Sequence, residues 1–123
     1  MFAIRGCKGR GNEVIKFFEM LGGVWLDGKV DGEDAKKIYF INSKGEISET
    51  RENHFRAIRF RHKFELDEIL EQSKFRLGDM VYTFGLDYPI RIEKLVAREN
   101  GVWYMTSNRK ANGYADNFSY EPL

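Results

Sequence analysis

The side chains in this chain that could do chemistry are cations, amides and aromatics gathered at three places. The first is the run from Ile4 through Arg5, Gly6, Cys7, Lys8, Gly9, Arg10 and Gly11 to Asn12. Glycines ahead of a helix N-terminus let backbone N–H groups converge on an anion, and the helix dipole favours negative charge there. Lys8, Gly9, Arg10 and Gly11 are therefore a candidate anion loop. Their spacing matches neither the P-loop nor the dinucleotide fingerprint. The same glycines would serve a tight strand-to-helix connection equally well.

The second place is 55–64, where Ile58, Phe60, His62 and Phe64 alternate with Ala57, Arg59, Arg61 and Lys63. As a strand, this puts an apolar row on one face and a cationic row on the other. Arg56, Arg59 and Arg61 would line a phosphate wall, for which the guanidinium fork is suited. A solvated basic face is the plain alternative. The third place is the polar stretch 107–117, with Asn108, Arg109, Lys110, Asn112, Gly113, Tyr114, Asp116 and Asn117. It is longer than a hairpin turn. Arg109 and Lys110 offer charge to phosphates, and Phe84, Trp103 and Tyr114 offer rings to a base.

Other chemistries are missing their parts. One cysteine and two histidines at 54 and 62 cannot make a zinc cluster. No serine stands in a nucleophile elbow, and the carboxylates are scattered without a pair placed as acid and base. The reading is of a binding protein, not an enzyme, with no catalytic residue, metal or cofactor.

Twenty basic against nineteen acidic residues leave a net charge of +1, which argues against a generic nucleic-acid binder. A hydrophobic fraction of 42% in 123 residues is enough for one self-sufficient core. The single thiol, Cys7, excludes an internal disulfide and suits a reducing cytoplasm. No apolar run reaches the length of a membrane span, and no leader is read.

These residues must be held by regular elements. Val14, Phe17, Phe18 and Leu21 repeat at helical spacing, so a helix is expected over 12–21, capped by Asn12 and stopped by Gly22-Gly23. Residues 24–36 read as a solvated acidic loop. Ile38 to Ile41, a turn over 42–45 and Glu46 to Thr50 predict a hairpin. A short helix is expected over 65–73. Short strands then follow near 80–84, 89–96, 102–106 and 118–120, with Asn100-Gly101 as a hairpin turn. The expectation is an α+β chain, 1–123 as a single compact domain. Its subregion 1–74 holds the glycine loop, helix and small antiparallel sheet, and 75–123 is β-rich and small-barrel-like.

The run Gly6-Cys7-Lys8-Gly9-Arg10-Gly11-Asn12-Glu13-Val14-Ile15, with Glu19-Met20-Leu21-Gly22-Gly23, resembles the opening of small proteins of phages, prophages and mobile elements in gut bacteria. In those proteins segments like Tyr39-Phe40-Ile41 and Phe75-Arg76-Leu77-Gly78-Asp79-Met80-Val81 follow. In size and build the chain also resembles phage anti-defence sponges of the Thoeris anti-defence family. That resemblance implies a homo-oligomer in the cytoplasm of a bacterial host cell. It would sequester a small phosphate-bearing nucleotide signal, cyclic ADP-ribose-like or a cyclic oligonucleotide, without degrading it. The alternative is a small-barrel module binding nucleic acid or a CRISPR-type effector complex.

Overall fold

The computed structural model describes residues 2–7, 9–26, 37–42, 44–51 and 62–122. Lys8, residues 27–36 and the basic positions Arg56, Arg59 and Arg61 lie outside the described residues; of the stretch 24–36 expected as a loop, Val24 and Trp25 form a short strand. Among the described residues there are two helices and two five-stranded sheets, an α+β architecture.

The first sheet combines β1 (Phe2–Arg5), β2 (Val24–Trp25), β3 (Lys37–Ile41), β4 (Glu46–Arg51) and β5 (Lys63–Glu65) in the order β2-β4-β3-β1-β5. It is mixed: β1 runs antiparallel to β3 and parallel to β5. The unbroken apolar run from Ile38 to Ile41 follows from its central place. Tyr39 and Ile41 join Phe2, Ile4 and Ile47 on one face, while Ile38, Phe40 and Ala3 form a separate buried group. A strand covered on both faces needs no alternation with polar residues.

Helix α1 (Gly11–Met20) packs Val14, Phe17 and Phe18 onto the first of those faces. Phe18 meets Tyr39 and Trp25 edge-on, and Phe17 lies 6.2 Å from Phe2. The helix stops where expected. Gly22 takes φ +68°, its N–H donates to the Glu19 carbonyl, and the Gly23 N–H donates to the Phe18 carbonyl. That pair of bonds satisfies two of the orphan carbonyls at the helix end. The start differs. Helix geometry begins at Gly11, the capping position is Arg10 with no side-chain cap, and Asn12 lies inside the first turn. The cause is a tight turn in which the Arg10 N–H donates to the Cys7 carbonyl. This turn brings the chain into helical geometry before Asn12 is reached.

Helix α2 (Leu66–Gln72) follows β5 directly and leads into the second sheet. That sheet combines β6 (Met80–Thr83), β7 (Ile90–Arg98), β8 (Gly101–Thr106), β9 (Gly113–Tyr114) and β10 (Phe118–Ser119) in the order β10-β6-β7-β8-β9. A 3-10 turn over Ala115–Asn117 precedes the last strand, which returns beside the first. β6 to β9 pair in sequence as an antiparallel meander, with β10 on the far edge beside β6. Ile90, Ile92 and Leu95 are all buried, which strict alternation would forbid. A bulge between Ile92 and Lys94 supplies the extra residue.

One contiguous cluster of buried side chains runs from Phe2 and Phe17 through Leu66 and Phe75 to Tyr104 and Phe118. Polar bonds tie α2 to the second sheet at the same junction. The Tyr104 hydroxyl donates to the Gln72 carbonyl at 2.5 Å and accepts from the Phe75 N–H at 3.3 Å. The Gln72 side-chain oxygen accepts from the Val102 N–H at 3.1 Å. No helix among the described residues is long and apolar enough to cross a membrane.

Candidate functional site

The connection between β6 and β7 and the two 3-10 turns after β8 enclose a cleft of about 550 Å³. This is the size of a small-molecule site. Thr83 ends β6, and Phe84 follows, 91% exposed as a residue. Lys110, Asn108, Asn112, Asp116 and Asn117 line the other side.

Local hydrogen bonds explain how a polar loop acquires a fixed shape here. Asn108 precedes the 3-10 turn Arg109–Ala111, and its side-chain oxygen accepts from the Lys110 N–H at 3.1 Å. The Asn112 side-chain oxygen accepts from the Thr106 N–H at 2.8 Å. The Thr106 hydroxyl donates to the Asn108 carbonyl at 2.8 Å. Asn117 lies against Gly113, where a Cβ would come within 2.2 Å of its amide nitrogen. Asn108 and Asn112 thus spend their carbonyl ends on the backbone. The Asn108 amide donates to the Tyr88 hydroxyl at 3.4 Å, so what faces onward is the Asn112 amide N–H, alongside the Lys110 ammonium, which suits oxygen acceptors on a ligand. Asp116 is the one carboxylate among the lining residues and Thr83 the one hydroxyl.

The candidate residues named from sequence divide into groups. Phe84 and Lys110 share the cleft. Arg109 stands exposed on the same 3-10 turn as Lys110 but does not line it. Trp103 and Tyr114 are paired elsewhere. They are register partners on β8 and β9, with rings 5.0 Å apart and nearly perpendicular. The Arg98 guanidinium lies 4.0 Å from the Trp103 ring centre. The sequence reading missed Arg98. Its signal was the hairpin register, which pairs Arg98 with Gly101 and leaves Trp103 diagonally two residues on.

At the N-terminal loop, Gly6 and Gly9 take φ +73° and +70°. Gly11 is buried at the start of α1. Arg10 is engaged by two carboxylates, Glu13 at 2.6 Å and Asp67 at 2.7 Å. The hydrogen bond from Arg10 holds the Asp67 carboxyl below its usual range. Arg5 pairs with Glu65 at 3.1 Å beside the same loop. Arg10 therefore clasps the start of α1 to the start of α2, and its charge is answered within the chain. Burial pushes the Cys7 thiol up to about 12, against a smaller opposing pull from Arg10. A thiol so protonated is a packing group and a poor nucleophile.

Half-buried His62 gives its backbone carbonyl to the Ala3 N–H and sets Nε2 3.8 Å from the Glu99 carboxylate. Among the described residues no group of three histidine, cysteine or carboxylate side chains is placed to hold a metal ion. No protein-family model, no curated protein and no solved structure matches the chain.

Proposed function

We propose that this protein binds a small phosphate-bearing nucleotide in the Phe84–Lys110 cleft and holds it without breaking a bond. The observation that carries the reading is Phe84. A large apolar residue, 91% exposed at the lip of a cleft lined by amides and an ammonium, is a stacking surface without its stack. The Lys110 ammonium and the Asn112 amide N–H would meet phosphate oxygens, with Arg109 adjacent on the same turn. Cyclic ADP-ribose-like molecules and cyclic oligonucleotides combine a base with phosphates at this scale. The resemblance to phage anti-defence sponges supplies the wider proposal. The chain would act as a homo-oligomer in a bacterial host cell and remove a signalling nucleotide by sequestration.

Calorimetric titration of the full chain tests this with cyclic ADP-ribose, cyclic dinucleotides and cyclic trinucleotides. One of them should saturate at micromolar concentration and be recovered chemically intact. Absence of saturation by every member, or turnover of the one that binds, would overturn the proposal. A second reading rests on the other aromatic group. Trp103, Tyr114 and Arg98 form a cation–aromatic surface of the kind single-stranded nucleic acid stacks on. Binding there would weaken steeply with salt, because each neutralised phosphate releases counterions.

A further inference from the structure

A second cavity, of about 690 Å³, lies away from Phe84 in the groove between α1, α2 and the turn after α2. Helix α1 lines it with residues 13, 16, 17, 19 and 20, neighbours three and four apart on one side of the helix. Helix α2 adds Leu70, and Ser73, Lys74, Arg76 and Leu77 follow from the segment after it.

The lining is amphipathic in a particular way. Met20, Leu70 and Leu77 give it apolar surface, and Leu77 is 56% exposed despite its size. Lys16, Lys74 and Arg76 surround that surface with three cations. The carboxylates nearby are mostly engaged. Glu13 is held by Arg10 at 2.6 Å, and Glu71 lies 3.8 Å from Lys74. Glu19 also lines the groove and has a partner of its own. None of the ion pairs among the described residues includes Lys16 or Arg76.

From this juxtaposition we infer that the groove is a binding site for a long-chain carboxylate. Its tail lies against Met20, Leu70 and Leu77, and its headgroup lies between Lys16 and Arg76, while Lys74 is shared with Glu71. The flexible methionine lets the apolar wall adapt to an unbranched chain. The long lysine and arginine stems extend that wall while keeping their charged ends at the rim. The ligand class differs from that of the Phe84 cleft, because the one aromatic ring in this lining, Phe17, is only 1% exposed and offers no stacking face. Three apolar side chains also make a short floor for a partner helix, which needs anchors over two turns or more.

Calorimetry on the full chain with laurate, kept below its micelle-forming concentration, tests the assignment. Laurate should saturate one site. Dodecylammonium, with the same tail and the opposite charge, should bind at least about tenfold more weakly. Butyrate, with the same charge and almost no tail, should give no saturation. Arg76→Glu and Lys16→Glu should each weaken laurate about tenfold or more. Both positions are exposed, so the free variants should melt with the parent. Leu77→Asp should abolish binding. Equal affinity for laurate and dodecylammonium would overturn the assignment, as would no saturation by laurate or unchanged affinity in Arg76→Glu.

Discussion

Replacing Gly101 with alanine should destabilise the fold through two separable causes. Gly101 opens β8 with φ +120°, a conformation side chains rarely adopt. Holding a non-glycine residue in such a region costs about 1–3 kcal/mol. The added methyl would also fall 1.7 Å from the Gln72 side-chain oxygen. That oxygen must move, and the hydrogen bond it accepts from the Val102 N–H is lost. Val102 is wholly buried, so its N–H is left without a partner at about 1–3 kcal/mol. Gly101→Ala should therefore lower unfolding free energy by about 2–6 kcal/mol. Gln72→Ala alone should cost about 1–3 kcal/mol through the same lost bond. In the double variant that bond can be lost only once. Its total should fall short of the sum of the singles by about 1–3 kcal/mol, outside the scatter of independent sites. Urea unfolding of the four proteins, followed by tryptophan fluorescence and far-ultraviolet circular dichroism, measures the cycle. Strict additivity would refute the claim that Gln72 and Gly101 form one contact joining α2 to the second sheet.

Other outcomes follow from single sites. Phe84→Ala should leave the unfolding free energy within about 0.5 kcal/mol of the parent, because the residue is already exposed. It should nevertheless weaken a stacked nucleotide by about 1–3 kcal/mol in calorimetry. Tyr104→Phe orphans the Gln72 carbonyl and the Phe75 N–H, and should cost about 1–3 kcal/mol or more in urea unfolding. Cys7 should resist a thiol-reactive chromophore in the native protein and react at once in urea. Because its folded value is raised from 9.0 to about 12, the native state holds that proton more tightly than the unfolded chain. The resulting stability is present below about pH 9 and is lost as pH rises toward 12, and Cys7→Ala should flatten that alkaline limb in thermal melts. Asp67 has the opposite sign. Its lowered folded value gives stability present above the unfolded carboxyl range and lost as pH falls through the folded one. Asp67→Asn should therefore flatten the acid limb.

The elements with strong periodicity were legible in the sequence, and those set by contacts across the fold were not. Val14, Phe17 and Phe18 announced α1 and its buried face. The hairpin over 37–51 was plain from its apolar run and the turn residues Asn42 and Gly45. Asn100-Gly101 marked the later hairpin, yet Gly101 belongs to β8 opposite Arg98, and the turn itself is Glu99 and Asn100. Beside this turn Gln72, thirty positions from Val102 in the chain, accepts the Val102 N–H, a contact that no local pattern carries. Asn12 was the better cap by residue type, and the turn closed by Arg10 on Cys7 overrode it.

The candidate site shows the same division. The polar stretch after β8 was recognisable as too long for a connection, and Phe84 and Lys110 were named from residue type. Their meeting across the cleft depends on the return of β10 beside β6, which composition does not encode. Trp103 and Tyr114 had the same chemistry as Phe84 on paper. Cross-strand pairing assigned them to each other and to Arg98 instead. Arg10 had the residue type of an anion ligand, and Glu13 and Asp67 supplied its anions from within the chain.

The most direct measurement is a thermal-shift comparison of the parent chain and Lys110→Glu against linear and cyclic ADP-ribose species and cyclic di- and trinucleotides. A ligand that binds only the folded state raises stability by about 2.7 kcal/mol at a hundred times its dissociation constant, on the order of 10 °C for a chain of this size. The account predicts such a shift with one species in the parent, its loss in Lys110→Glu, and intact ligand recovered after heating. A flat panel in the parent, or an undiminished shift in the variant, would contradict a nucleotide held between Phe84 and Lys110.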